Sequence, residues 1–209
     1  SVLEAQVAHF RPDILLNQDM ATIRPTLLDR CKMPGRLLAG QHAASPFPLN
    51  EGFKIYDFAV SSFPPTVERL RKFGIQTYTH RLAFEPAVLP ALPVQAPRHP
   101  LVFIGSLSPL HRSRMEFLER LCILLPELQV WAPEAPGLQR NSPLHRAYRG
   151  QAWGRQALEI LRNARIVLNH HGDVAPHANN MRLYEATGMG SLLLTDDKPD
   201  LHEMFEPGK

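Results

Sequence analysis

Two rhythms of apolar residues run along the chain. Val2, Leu3, Ala5, Val7, Ala8 and Phe10 recur at helical spacing until Pro12 stops the pattern. Short unbroken apolar runs then alternate with further helical stretches. They predict strands over 13–17, 36–40, 58–62 and 75–78, and helices over 25–31, with Pro25 in the first turn, and 65–73, closed by Gly74. The segment 86–100 holds five prolines and no stable period, as a linker would. Beyond it the rhythm resumes, with strands over 101–106, 128–131, 165–171 and 192–194. Helices are predicted over 111–125, 153–164, after Asn180, and over 201–205. In the first of these, Met115, Leu118, Leu121, Cys122 and Leu125 share one face. This alternation predicts an α/β chain of parallel sheets flanked by helices. The boundaries expected are an N-terminal lobe over 1–90, a proline-rich linker over 91–100 and a C-terminal lobe over 101–209.

Composition narrows the class. Of the 209 residues 44% are apolar, enough for a sizeable core. No apolar run approaches the ~18 residues of a membrane span, so no transmembrane segment is expected. The start, Ser1-Val2-Leu3-Glu4, has neither signal-peptide nor transit-peptide character and lacks an initiator Met, as an internal starting point or a tag remnant would. Cys31 and Cys122 are the only cysteines, far apart within apolar patterns; this excludes a disulfide scaffold and suggests a reducing, cytoplasmic setting. The net charge is +3, with a pI near 9.1. No block of five Lys/Arg occurs, so nucleic acid is not an expected partner. A cleft for a diphosphate needs no more positive charge than this.

The most informative stretch is Asn179 to Asp196. Asn179 or Asn180 can cap a short helix through Arg182, Leu183, Tyr184, Glu185 and Ala186, which Gly188 and Gly190 end before the core strand Leu192–Leu194. Arg182 and Glu185, three apart, are neighbours on one helix face. They offer a cation for phosphate oxygens and a carboxylate for sugar hydroxyls, or else an ordinary solvated pair on a surface helix. Asn180, Arg182, Glu185 and Gly190 match, position for position, the motif Asn-x-Arg-x-x-Glu-x-x-x-x-Gly. In this the chain resembles GT-B glycosyltransferases, specifically the bacterial spore-maturation-type, glycosyltransferase family 1-like group. The resemblance implies two Rossmann-like lobes and a nucleotide-sugar site in the second, where the Glu holds the ribose hydroxyls. It covers nearly all of the second lobe and, more weakly, the first. Many relatives carry an earlier Glu eight positions before this one; here that position is His177. A complete enzyme of this type would have further β/α units before Val2 and a tail after the second lobe, so the chain is expected to be a fragment of a longer enzyme.

Other candidates gather at predicted strand ends. Gly105 and Ser106 close the first strand of the second lobe, where a glycine turn lets a phosphate approach; Arg112 and Arg114 follow at a helix start, where a cation opposes the helix dipole unless it serves an anion. Trp131 is either a base-stacking ring or a core filler. Tyr148, in Tyr148-Arg149-Gly150, either frames the base or belongs to a plain turn. The run Asn169-His170-His171-Gly172-Asp173 suggests zinc, but adjacent histidines on a strand point to opposite faces and no Cys accompanies them. No metal is therefore expected; His170 or His171 is read as a sugar or phosphate contact or a solvated loop residue. In the first lobe Asp19, His42, Asp57 and His80 lie at or just past strand ends. His42 or His80 would serve as base or sugar contact, although neither has a carboxylate beside it in sequence.

The function expected is a metal-independent glycosyltransferase that moves a sugar from a nucleotide-diphosphate donor to a glycan or other hydroxyl acceptor, with no cofactor beyond the donor itself. The donor set is Gly105, Ser106, Arg112, Asn180, Arg182, Glu185, Gly188 and Gly190. Trp131, Tyr148 and His170 are base or sugar contacts, and His42 and His80 the catalytic candidates. The alternatives are a nucleotide-sugar epimerase on the same fold and a non-catalytic module that binds nucleotide-sugar or glycan.

Overall fold

The computed structural model describes the whole chain except residues 44–46, 95–97, 109–110, 134–137, 172–175, 179, 207 and 209. The chain divides into two units, Ser1–Arg81 and Leu82–Lys209. Among the described residues no helix is long and apolar enough to cross a membrane.

Unit 1 holds four parallel strands, β1 (Ile14–Asn17), β2 (Leu37–Gln41), β3 (Phe58–Ser61) and β4 (Thr77–Thr79), in that spatial order. Helix α1 (Val2–Phe10) opens on a capping box formed by Ser1 and Glu4, and ends where Arg11 turns left-handed at φ 52°. Helices α2 (Pro25–Asp29) and α3 (Pro64–Lys72) each begin on proline, whose fixed φ suits a first turn. Met20, Leu28, Leu38, Phe53, Ala59 and Leu70 form the core. Gly40 is small for a local reason: a Cβ there would lie 2.7 Å from Met20 Sδ. A 3₁₀ turn at Glu51–Ile55, which the sequence pattern does not reveal, carries the chain from β2 to β3.

Unit 2 has the strands β5 (His99–Ile104), β6 (Leu128–Trp131), β7 (Ala164–Asn169) and β8 (Leu192–Thr195). All are parallel, in the spatial order β6-β5-β7-β8. The chain moves outward from β5 to β6 and then returns to the other side of β5, so the order reverses between β5 and β7. Open sheets bind ligands outside the carboxyl ends of the strands at such a switch. Helices α4 (Arg112–Leu124) and α5 (Leu144–Ala147) pack one face through Leu118, Cys122 and Leu144. Helices α6 (Gly154–Arg162) and α7 (Met181–Gly188) pack the other through Ile160, Leu161 and Ala186. Burial of one such leucine contributes about 2 kcal/mol.

The proline-rich segment departs from the expectation of a free linker. Pro86–Ala91 is a 3₁₀ helix, and Phe84, Val88, Leu89 and Leu92 pack on the core of unit 2. Prolines set the backbone there, while Leu92 is buried and Val88 and Leu89 are half-buried. The last predicted helix is a single 3₁₀ turn, Leu201–Glu203.

Candidate functional site

The carboxyl edge of unit 2 is held together at the switch point by an arginine. Arg114, only 8% exposed, donates from Nη1 to the carbonyl of Ser106 at 3.0 Å. Its Nε and Nη2 donate to the carbonyl of His170 at 3.1 and 2.7 Å. The guanidinium lies over the Phe103 ring, 5.9 Å from its centroid. One side chain thus ties the turn after β5 to the turn after β7. Gly105 makes room, since a Cβ there would stand 2.8 Å from Phe103 Cζ. Ser106 Oγ accepts the N–H of Ser108 at 3.2 Å, so the expected phosphate turn is a self-bonded turn as well. Arg112 is a correction: 86% exposed, it pairs with Glu116 at 2.8 Å one helical turn on. Arg114 is a cation at the crevice, and it serves two carbonyls.

Helix α7 begins beside the same crevice. Arg182 donates from Nε to the carbonyl of Ile104, the last residue of β5, at 3.3 Å. Its Nη1 donates to Glu185 Oε2 at 2.7 Å. Burial draws the guanidinium below its ordinary pKa, while Glu185 opposes the shift. The two residues expected to act separately on phosphate and sugar are therefore joined. Arg182 fixes the Glu185 carboxylate at the end of β5, and no described residue bonds Glu185 Oε1. Asn180, the first residue before α7, accepts no capping hydrogen bond; its Nδ2 donates to Asn169 Oδ1 at 2.9 Å instead. The other proposed cap, Asn179, lies outside the described residues.

Gly188 and Gly190 do not join this set. α7 runs back along the sheet, so both lie near the start of β8, at the opposite edge from Asn180. A Cβ on Gly188 would fall 2.3 Å from Phe84 Cγ; close packing accounts for this glycine. Gly190 is left-handed, at φ 86°, and turns the chain into β8. Trp131 is likewise a core filler, 6% exposed and edge-on to His99 at 5.3 Å. The exposed indole is that of Trp153, 65% exposed just before α6. Tyr148 hydrogen-bonds the Ala132 carbonyl at 3.1 Å, and its backbone pairs with Val130, so Tyr148 to Gly150 lies beside β6. His170 packs its ring on Phe117 at 5.5 Å.

Sequence reasoning missed a pair here. His171 Nδ1 lies 2.8 Å from Asp196 Oδ1, which also accepts the His171 backbone N–H at 2.9 Å. Burial pushes the Asp196 carboxyl up, but these two bonds and the nearby charge of His171 and His170 outweigh it and hold the pKa well below normal. Lys198 adds a cation at 3.4 Å. Twenty-five positions separate the partners, so only the register of β7 against β8, Asn169 beside Thr195, reveals them. His177 lies 3.6 Å from Asp200. Among the described residues no group of three His, Cys, Asp or Glu side chains converges; Gly172 and Asp173 lie outside them.

In unit 1 His42 does have a carboxylate. Asp19, just after β1, lies 3.3 Å from His42 Nδ1, just after β2. The Asp19 carboxyl is held below its usual pKa chiefly by the Thr22 hydroxyl at 2.5 Å; burial opposes this, and the Ala21 N–H and His42 add to it. The buried His42 ring meets Phe47 edge-on at 4.5 Å. His80, just after β4, bonds through Nδ1 to the Arg81 carbonyl at 3.2 Å; its buried Nε2 has no partner among the described residues. Asp57 is structural: Oδ2 accepts the Leu38 N–H at 2.6 Å.

Residues 109–209, the stretch that carries α4 to β8, match the family model described as Glycosyl transferase-like. The chain is also similar to the crystal structure of the pneumococcal O-GlcNAc transferase GtfA in complex with UDP and GlcNAc, with a TM-score of 0.60 and 14% identity. That match covers 98% of this chain and 47% of the other, so this chain spans about half the length of that structure. The shared fold is of the GT-B type, two parallel α/β units. No curated protein matches the chain in sequence.

Proposed function

We propose that this chain is the nucleotide-binding part of a glycosyltransferase that moves a sugar from a nucleotide-diphosphate donor to a hydroxyl acceptor without a metal. The observation that carries the reading is the Glu185 carboxylate, held at the end of β5 by Arg182 with one oxygen left to a ligand. A carboxylate so fixed accepts two vicinal hydroxyls, as ribose presents them. Unit 1 is assigned the acceptor, with His42, oriented by Asp19, as the base or sugar contact. The leaving diphosphate gains negative charge as the glycosidic bond breaks, and fixed dipoles at helix starts oppose that charge. Sugar and base are matters for experiment.

Calorimetry against UDP, GDP, ADP and their sugars tests the reading, with wild type beside Glu185→Ala. The preferred nucleotide should bind Glu185→Ala at least about tenfold more weakly, as expected when bonds to a charged group are lost. Equal affinity would overturn the ribose contact. A second reading is a non-catalytic module that binds nucleotide-sugar: His177, paired with Asp200, stands where the resemblance to GT-B enzymes implies a carboxylate. Turnover of a bound sugar nucleotide supports the enzyme, and binding without turnover the module.

A further inference from the structure

Five polar side chains on the carboxyl edge of unit 2 form one continuous line. Asn180 Nδ2 bonds Asn169 Oδ1 at 2.9 Å, and Asn169 Nδ2 bonds Thr195 Oγ1 at 2.9 Å. Thr195 Oγ1 lies 3.4 Å from both the carbonyl and Oδ1 of Asp196, whose Oδ1 meets His171 Nδ1. Neither end meets a partner among the described residues. His171 Nε2 and Asn180 Oδ1 are buried, and no described residue bonds either one. The His171 side chain is 3% exposed. Leaving buried polar atoms unpaired is costly, so such atoms point to a partner that comes from outside.

The chemistry of that partner follows from the direction of the bonds. An ionised carboxylate only accepts, so the Asp196 end fixes every proton in the line. Thr195 must donate to Asp196, which leaves its oxygen to accept from Asn169 Nδ2. Asn169 Oδ1 then accepts from Asn180 Nδ2, and Asn180 turns Oδ1 to the open end. At the other end His171 Nδ1 faces Asp196 and holds a proton toward it, so a neutral ring presents a bare lone pair at Nε2. With the ring in that form both open ends are acceptors. An anion is repelled there; a hydroxyl, which donates, is not.

We propose that His171 Nε2 and Asn180 Oδ1 form a hydroxyl-recognition subsite, taking hydrogen bonds from a polyol group of the bound ligand. The ligand class rests on the sugar-nucleotide reading above, and the hydroxyls belong either to the ribose or to the transferred sugar. Asp196 and Thr195 are positioning residues that set the polarity of the line.

Long-range ¹H–¹⁵N NMR on the full chain tests this directly, with the His171 ring assigned by its loss in His171→Gln. The ring should carry its proton on Nδ1, and UDP-N-acetylglucosamine should shift Nε2 while leaving it unprotonated. Protonation of Nε2 on addition of inorganic pyrophosphate would make the subsite an anion site and overturn the proposal.

Calorimetry separates the two sources. If His171→Ala and Asn180→Ala weaken UDP-N-acetylglucosamine about fivefold to tenfold and leave UDP within about twofold, the transferred sugar supplies the hydroxyls. If UDP weakens equally and 2′,3′-dideoxy-UDP is unaffected, the ribose does. Unchanged affinity for all three ligands overturns the subsite. Thr195→Val keeps the side-chain shape and breaks the line, so it should move affinity in the same direction without unfolding the chain. If wild type binds neither UDP nor its sugar, the uridine form of the functional reading fails. The subsite is then decided by free ribose and N-acetylglucosamine: a shift at Nε2 supports it, and no shift at saturating concentration overturns it.

Discussion

Arg114 Nη2 donates to the carbonyl of His170 at 2.7 Å, bridging residues 56 positions apart in the chain. With its bond to Ser106 this makes Arg114 the tie across the reversal of strand order in unit 2. Arg114→Leu leaves two carbonyls unpaired near the crevice and should cost about 3 kcal/mol in urea unfolding. Arg114→Lys should recover less than half of that, because an ammonium has no planar fork to span both carbonyls.

Arg182→Lys tests whether the Arg182–Glu185 pair acts through orientation. A lysine keeps the charge but cannot hold both Ile104 O and Glu185 in one plane. Nucleotide affinity should fall about threefold to tenfold, while thermal stability shifts only slightly. Calorimetry beside a melting curve checks both.

Gly188→Ala should destabilise by about 1–3 kcal/mol, the usual cost of forcing an extra methyl into packed space. The clash is with the Phe84 ring, so Gly188→Ala combined with Phe84→Leu should recover part of the loss. Nucleotide affinity should stay unchanged in both, since Gly188 lies at the far end of α7. A selective loss of affinity would restore it to the binding set.

Asp196 gives a pH signature. Its folded pKa is depressed, so its contribution is present above the ordinary carboxylate value and lost as pH falls through the folded one. Wild type should therefore exceed Asp196→Asn in stability near neutral pH, and the gap should narrow as pH drops below about 4. Urea midpoints measured across that window decide it; a gap constant with pH would sink the ion-pair account.

The two indoles should behave oppositely in fluorescence. Trp153→Phe should leave a blue-shifted emission that iodide does not quench, because Trp131 is enclosed. Trp131→Phe should leave the quenchable emission of Trp153 and an unchanged nucleotide affinity. Quenching of Trp153 on nucleotide addition would assign the base-facing ring to it.

By itself the sequence determined the order and type of the long elements, because apolar spacing and proline or glycine punctuation are local properties. Helix α1 over Val2–Phe10 and strand β6 over Leu128–Trp131 stand where the pattern put them. The Arg182 and Glu185 face was legible for the same reason, since three residues make a turn. Only the tertiary structure decided what those groups meet. Arg182 reaches Ile104 across 78 positions, His171 meets Asp196 across 25, and His42 meets Asp19 across 23. Such pairs arise from strand register and strand order, which no local spacing encodes. The same limit explains Trp131 and Gly188: whether a ring faces ligand or core depends on what packs above it, and for Gly188 that is Phe84, more than a hundred positions earlier in the chain.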